Sequence, residues 1–350
     1  ILSSILLRPA FLLVSSATLI NPGIIMQKSL SAKIYQTGGS SVFKLENSVV
    51  GKPDAHQVLL RQTAIGVNYI DTYFRSGLYP VDLPSILGDE AVGIIEQVGE
   101  GVTEFSVGQR VAYSAAKGAY TQYRLIDINE IVPVPDGIDD AAIATSLLRG
   151  MTVEYLFCRL HTLTPDDTIL IHAAAGGVGQ IACQWARSIG ANVIGTVGSN
   201  EKAQIAKNIG CDYVINYREQ NFVKAVDDIT HGQKVDVVYD GVGKDTFMQS
   251  LDCLRVRGLM VSFGNASGKP DPFDVLELSK KGSLFLTRPT LYHYTRNRQE
   301  TLESAARYLK MLERGHINIQ VGPSFALTDV AKAHDYLEQR TTIGSPVLIP

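Results

Sequence analysis

The stretch Thr168-Ile-Leu-Ile-His-Ala-Ala-Ala-Gly-Gly-Val-Gly-Gln-Ile-Ala-Cys-Gln-Trp-Ala-Arg-Ser-Ile-Gly190, continued by Ala-Asn-Val-Ile-Gly-Thr-Val197, decides the fold. Residues 168–172 are a short, β-branched and apolar run of strand length. Gly176, Gly177 and Gly179 crowd into a tight turn. Val178, Ile181, Ala182, Trp185, Ala186 and Ile189 then recur on one helical face. Gly190 stands where a helix-ending glycine belongs, and residues 192–197 read as a second buried strand. A β-α-β unit of about 30 residues around such a turn is what a dinucleotide site requires. Gly176 lets the backbone approach a pyrophosphate, and Gly179 lets the helix pack close to the strand. The helix start offers free N–H groups and the positive end of its dipole to phosphates. Ala174 holds the first glycine place of the pattern, a small-residue variant. Ala175, Gly177 and Val178 complete the turn. A glycine-rich turn in some other α/β protein is the competing reading; the flanking strand and helix argue against it.

Cofactor choice is read further along. Sites for the unphosphorylated dinucleotide place an acidic residue about 20 positions on, for the ribose 2′-hydroxyl. Here the sequence is Gly198-Ser-Asn-Glu-Lys202. Ser199 and Asn200 are neutral donors and Lys202 is cationic, which suits a 2′-phosphate and so NADPH. Glu201 argues the other way unless it opens the next helix and points outward. Tyr217, after the following strand, is placed to pack beside the same phosphate. Without a ligand, Lys202 would be an ordinary solvated helix lysine.

The chain has 350 residues, 45% of them hydrophobic and 19% charged, with a net charge of −3. That describes two domains with ample core and gives no electrostatic reason to expect nucleic acid. Four cysteines stand at positions 158, 183, 211 and 253. No C-x-x-C spacing occurs, so neither a zinc ribbon nor a disulfide framework is indicated.

Residues 1–25 are apolar and serine-rich, with Arg8 their only charge. Three readings compete: translated upstream sequence before Met26, a secretory leader, or a membrane anchor weakened by Pro22-Gly23. The first is preferred, because a reduced dinucleotide is a cytoplasmic reagent, and this segment is expected to lie outside the fold.

Residues 26–148 are β-rich, with strands expected at 32–36, 57–64, 91–98 and 110–113, punctuated by glycine and proline. From 149 to 289 strands and helices alternate, as in a doubly wound parallel sheet. Later strands are expected at 212–216, 235–240, 258–264 and 283–287, and helices at 201–209 and 245–254. Two further helices, 299–314 and 328–339, the second capped by Thr328, precede a final strand at 346–349. The expected organisation is one domain from 26–148 and 290–350, and a dinucleotide domain over 149–289.

Five stretches then carry a resemblance. They are Ala64-Ile-Gly-Val-Asn-Tyr-Ile-Asp-Thr-Tyr-Phe-Arg-Ser-Gly-Leu-Tyr-Pro80, His172-Ala-Ala-Ala-Gly-Gly-Val-Gly179, Ile215-Asn-Tyr-Arg-Glu219, Gly258-Leu-Met-Val-Ser-Phe-Gly-Asn265 and Lys281-Gly-Ser-Leu-Phe-Leu-Thr-Arg-Pro289. From about residue 26 to the end the chain resembles the medium-chain dehydrogenase/reductase superfamily. Within it, the chain is similar to the zinc-free NADPH:quinone oxidoreductases related to ζ-crystallin, the bacterial ones in particular. The resemblance implies an α/β chain with a GroES-like β-rich catalytic domain and a Rossmann doubly wound parallel sheet. It also implies a homodimer and reduction of soluble quinones by one-electron steps to the semiquinone.

Zinc-dependent relatives place a Cys where Asn68 stands and Gly-His-Glu where Gly88-Asp89-Glu90 stands. Their third ligand, a Cys, falls near Leu147–Leu148, and their four-cysteine lobe has no counterpart. A tetrahedral Cys/His site cannot be assembled here. A quinone needs no Lewis acid, because it is already electrophilic and takes modest hydrogen bonding to its oxygens.

Asn68, Tyr73 and Tyr79 are therefore candidates to bond or stack the quinone, against the plainer reading of a turn Asn and core tyrosines. Asp71 and Arg288 are candidates to orient each other or the cofactor. Thr152 is a candidate for the nicotinamide carboxamide. Gly241, Val242, Phe263, Gly264 and Asn265 follow strand ends, where open α/β sheets bind ligands. Relatives often carry Ser at Gly241, which puts a hydroxyl contact there in doubt. Arg340 is a candidate to close over the cofactor. The segment 68–79 is expected to be a loop. Two other functions stay open: an NADPH-dependent alkenal or enone double-bond reductase, and a crystallin-like or RNA-binding role, the last opposed by net acidity.

Overall fold

The computed structural model describes residues 27–339 and 344–350. The expectations for residues 1–25 and for Arg340 lie outside the described residues. Among the described residues the strands form three sheets. The central one has six parallel strands in the spatial order Tyr213–Asn216, Asn192–Val197, Thr168–Ile171, Val235–Asp240, Leu254–Ser262 and Phe285–Thr287. The chain runs outward from Thr168–Ile171 on one side, then crosses back to Val235–Asp240 and runs outward on the other. The glycine turn therefore lies at the reversal point, beyond the C-terminal end of the central strand.

Alternation explains why these strands read as unbroken apolar runs. Ile169 and Ile171 join one hydrophobic cluster and Leu170, between them, joins another. Side chains of a strand alternate between faces, so both faces are covered and both need apolar residues. The helix Gly177–Ile189 covers one face and ends at Gly190 in the left-handed region, φ 96°.

The second sheet has seven strands. Gln57–Gly66 pairs with Glu90–Val98, Tyr123–Asp127 and Ser345–Ile349. Arg110–Ser114 and Ile131–Pro133 extend it on one side, Val321–Ala326 on the other. A three-stranded sheet of Phe43–Val50, Gln27–Ile34 and Ser85–Ile86 lies beside it.

Several expectations change. Residues 68–79 are not a loop: Tyr69–Ser76 is a helix with Asn68 as N-cap. Asp71 returns a carboxylate oxygen to the Asn68 N–H at 2.8 Å, which satisfies one orphan donor of the first turn. Gly77, φ 83°, ends the helix. The last helix is Val330–Glu338 with Asp329, not Thr328, at its N-cap, because Leu327–Asp329 is taken up in a 3-10 turn. The strand expected at 258–264 begins at Leu254 and ends at Ser262, freeing Phe263 and Gly264 for the loop above it.

The helices Leu147–Tyr155 and Arg298–Glu313 pack on each other and on the central sheet, sharing one core. They meet at Gly150, where an added Cβ would lie 2.2 Å from the Tyr308 ring. Gly150→Val should lower unfolding free energy by about 1–3 kcal/mol through overpacking, read as a lower denaturant midpoint. A midpoint equal to the parent's would contradict this packing.

Candidate functional site

The dinucleotide turn is built by close backbone approach. A Cβ on Gly179 would lie 2.3 Å from the Ala173 carbonyl oxygen and 2.6 Å from that of Ala174. Gly176, the N-cap of the helix, has extended backbone and makes no side-chain cap. Ala175 is buried, and Val178 and Gly177 sit half-buried at the helix start. Gly177 faces Arg149: its Cβ would lie 2.8 Å from an Arg149 guanidinium nitrogen. The first-turn N–H groups and the helix dipole thus point at one small-residue surface, as a diphosphate needs.

At the end of the second strand, Ser199 caps the helix Asn200–Ile209 and accepts from the Lys202 N–H at 3.3 Å. Tyr217 lies against Gly198, where a Cβ would meet its hydroxyl at 2.5 Å. Burial lowers the Lys202 pKa, and the nearby Arg218 cation lowers it further. Two cations held together at a strand end favour a multiply charged anion between them. Glu201 is exposed in the first helical turn.

The candidate acceptor residues converge from both sheets. Tyr73 and Tyr79 stack edge-to-face with ring centres 5.3 Å apart. The Tyr73 hydroxyl accepts from the Asn265 N–H at 3.3 Å. In the amide orientation that satisfies every neighbour, the Asn265 side-chain oxygen accepts from Tyr79 at 3.2 Å and from Arg288 at 3.0 Å. Arg288 also donates to the Tyr79 hydroxyl at 3.1 Å and to the carbonyls of Ser262 and Gly264 at 2.6 and 3.2 Å. Arg288 thereby holds the loop above the sheet and the aromatic wall together. Burial pushes the Tyr73 hydroxyl up to about 12, so it stays a neutral donor. Gly241, Val242, Phe263 and Gly264 lie at the same strand ends. A Cβ on Gly264 would lie 2.4 Å from the Gly241 carbonyl, and one on Gly241 would lie 2.9 Å from the Phe263 ring. A serine at Gly241 would force that ring to move.

Asp71 does not join Arg288. Its carboxylate is buried within the β-rich core and accepts from Tyr120 and from the Asn68 N–H, both at 2.8 Å. Thr152 is nearly buried, and its hydroxyl donates to the Leu148 carbonyl one helical turn back at 2.8 Å. Asn68 is buried too. Its amide nitrogen donates to Glu90 at 2.7 Å and its oxygen accepts from Arg149 at 3.0 Å.

Three residues of this network were not singled out as site residues from the sequence. Glu90 accepts from Asn68 and from the Leu148 N–H at 2.7 Å, and burial pushes its carboxyl up to about 7. Arg149 donates to Asn68 and to the Ser345 hydroxyl, and burial lowers its pKa. Tyr292 donates to Asp89 at 3.2 Å. A signal for Arg149 was present: it is one charge in an otherwise apolar helical run, Leu147-Leu-Arg-Gly-Met151.

Such a paired arrangement, a glycine-cradled strand-end site facing an aromatic and polar wall from a β-rich domain, defines a dinucleotide-dependent oxidoreductase. Comparison with known proteins agrees. The alcohol dehydrogenase GroES-like domain matches residues 54–136, and the zinc-binding dehydrogenase family matches 177–311. A Salmonella typhimurium quinone oxidoreductase is 46% identical over 91% of this chain and 98% of its own. A 2-haloacrylate reductase from a Burkholderia species is likewise 46% identical, over 92% of this chain and 99% of its own. The crystal structure of Escherichia coli quinone oxidoreductase complexed with NADPH superposes with a TM-score of 0.89, at 44% identity over 92% of this chain and 100% of that one. The chain belongs to the quinone oxidoreductase family of the medium-chain dehydrogenase/reductase superfamily. Among the described residues no group of three or more His, Cys, Asp or Glu side chains could hold a metal ion.

The cradle makes a sharp test possible. Gly179→Val must push the helix off the strand, so dinucleotide affinity should fall at least 100-fold by fluorescence titration. Retained affinity would mean that the dinucleotide binds elsewhere.

Proposed function

We propose that this chain transfers reducing equivalents from NADPH to quinones without a metal ion. The observation that carries the proposal is the cross-sheet cluster of Tyr73, Tyr79, Asn265 and Arg288 at the strand ends beside the glycine cradle. NADPH supplies a hydride equivalent when bound. Its pyrophosphate fits the Gly176–Gly179 turn, which side chains would fill, and its 2′-phosphate fits Ser199, Lys202, Tyr217 and Arg218. The Tyr73 and Tyr79 rings give a flat acceptor an apolar face, and the Arg288 guanidinium and the Tyr73 hydroxyl, which only accepts from Asn265, offer donors to its oxygens. Asn68 acts one layer behind, positioned by Glu90 and Arg149. With Asn68 and Asp89 at the metal-ligand places, Lewis-acid help is neither available nor needed for a quinone. One-electron delivery, which releases the semiquinone, is the outcome the family resemblance favours.

A second reading has its own support. The 2-haloacrylate reductase is as similar as the bacterial quinone oxidoreductases, so reduction of an activated carbon–carbon double bond is the alternative. An RNA-binding role has no comparable observation behind it.

The domain division proposed is 149–289 for the dinucleotide half, with the rest of the described chain forming the catalytic half. No helix of the described residues is long and apolar enough to cross a membrane. Dependence on a reduced dinucleotide supports a cytoplasmic location.

The test is NADPH oxidation under exhaustive chelation with 1,4-benzoquinone and, separately, with an activated alkene. Quinone turnover should persist without metal, and NADPH should be preferred to NADH. Lys202→Ala should weaken NADPH by about 1–3 kcal/mol, the worth of one charge-assisted phosphate bond, and leave NADH alone. Equal affinities for both dinucleotides in the parent protein, or loss of turnover on chelation, would refute the corresponding part.

Assembly follows from the sheet edge. Phe285–Thr287 is the outer strand, and Phe285 and Val256 beside it are exposed. An apolar edge of this kind invites pairing. A second copy related by a two-fold axis would cover it, so light scattering at micromolar concentration should give twice the chain mass. A monomer would refute the homodimer.

A further inference from the structure

Arg149 occupies a place that suits a cation badly. The residue is 8% exposed, and its guanidinium lies beside the start of the helix Gly177–Ile189. A Cβ on Gly177 would lie 2.8 Å from Arg149 Nη1 and 3.1 Å from Nε, so the missing side chain is what leaves the guanidinium room. Cα–Cβ bonds lean toward the N-terminus of a helix. The cation therefore stands alongside the orphan N–H groups of the first turn, at the positive end of the dipole, where a second positive charge is disfavoured.

The bonds Arg149 makes do not offset this. Nε donates to the Asn68 amide oxygen at 3.0 Å and Nη1 donates to the Ser345 hydroxyl, both neutral acceptors. The Glu90 carboxylate spends its two oxygens on the Asn68 amide and the Leu148 N–H, so it meets Arg149 only through space. Among the described residues Arg149 makes no direct ion pair. Its remaining nitrogen, Nη2, makes no hydrogen bond there and is not sealed from solvent. A guanidinium stays charged in a protein, and a buried charge is normally met by an opposite one. Arg149 thus holds an unused charged donor next to a ring of unused N–H donors, and both ask for an anion.

We propose that Arg149 binds the pyrophosphate of the dinucleotide, with Nη2 donating to the phosphate on the nicotinamide side. The proposal rests on the dinucleotide site described above. The side is set by tethering. Arg149 is tied to Asn68, the N-cap of the helix that carries Tyr73, whereas Ser199 and Lys202 stand beyond the strand Asn192–Val197 and face the adenosine end. An arriving dinucleotide supplies the countercharge that Arg149 lacks and, through Asn68, draws on the same helix that forms the acceptor wall. A carboxylate on the acceptor is the other anion that Arg149 can meet; the approach to Gly177 favours the pyrophosphate.

The experiment measures calorimetric affinities for NADPH, NADH, 2′-phospho-ADP-ribose, which keeps the pyrophosphate and lacks nicotinamide, and adenosine 2′,5′-bisphosphate, which ends at the adenosine-side phosphate. The variant is Arg149→Met combined with Glu90→Gln, because removing both charges leaves neither buried alone. Affinity for the first three ligands should fall together by about 10-fold or more, the worth of one charge-assisted bond. The bisphosphate should bind as it does to the parent, and so should NADPH to Glu90→Gln alone. Arg149→Lys keeps the charge but loses the fork that serves Asn68 and a phosphate at once, so its NADPH affinity should fall between the parent and the double variant. Thermal melting without ligand checks each fold. Parental NADPH affinity in the double variant would overturn the proposal, as would an equal loss of the bisphosphate, or a rise in KM for 2-chloroacrylate with dinucleotide affinities unchanged. If the double variant fails to fold, Arg149→Lys decides, and parental NADPH affinity there overturns the proposal. A parent protein that binds no NADPH removes the dinucleotide reading itself.

Discussion

A single buried cation ties the two halves of this protein together. Arg149 sits on a helix packed against the dinucleotide sheet, yet its guanidinium bonds Asn68 and Ser345 of the β-rich half and lies against Gly177 of the phosphate turn. Taking such a charge out of water is costly unless it is met by an opposite charge and full hydrogen bonding. Glu90 supplies the charge, and Asn68 bridges the two side chains. Removing either partner leaves the other buried and uncompensated, a loss of about 3–5 kcal/mol in such pairs. The cleft geometry therefore cannot relax without a large penalty. The cofactor turn and the acceptor wall are held in register by the same few atoms.

How legible this was in the sequence depended on burial. The strands Thr168–Ile171, Asn192–Val197 and Val235–Asp240 are covered on both faces, so their apolar runs and bounding glycines announce them. Phe43–Val50 reads Phe-Lys-Leu-Glu-Asn-Ser-Val-Val and no residue in it is fully buried, so its period is blurred and it passed unnoticed. The helix Tyr69–Ser76 was hidden for another reason. It is short and carries aromatic and β-branched residues of modest helix propensity, and what specifies it is the Asn68 and Asp71 capping pair.

The candidate cluster was legible in its members more than in its bonds. Tyr73, Tyr79, Asn265 and Arg288 do converge: Tyr73 lies on the helix Tyr69–Ser76 and Tyr79 just beyond it, while Asn265 and Arg288 follow the strands Leu254–Ser262 and Phe285–Thr287. The Asp71–Arg288 pairing failed because opposite charge says nothing about direction. Asp71 at the third position of its helix is spent on the first turn and on Tyr120, facing inward. Arg149 escaped as a site residue because it reads as an isolated charge inside an apolar run, and Glu90 because it reads as one of two adjacent acids at the start of a strand. Only their spatial pairing reveals why either is tolerated.

The same network explains how a scaffold shared with zinc-dependent dehydrogenases works with a different donor set. At two of the three ligand places stand an amide and a carboxylate. Asn68 is consumed by Glu90 and Arg149, and Asp89 by Tyr292. A metal would have to displace an internal cation to bind Asn68. Hydrogen-bonding residues at these places forfeit the fixed point charge that a metal would supply. What the site can still stabilise is charge spread over a planar acceptor, through Arg288 and the Tyr73 hydroxyl. Acceptors that are electrophilic without assistance match that capacity, whereas an alcohol, whose oxidation develops a localised alkoxide, does not.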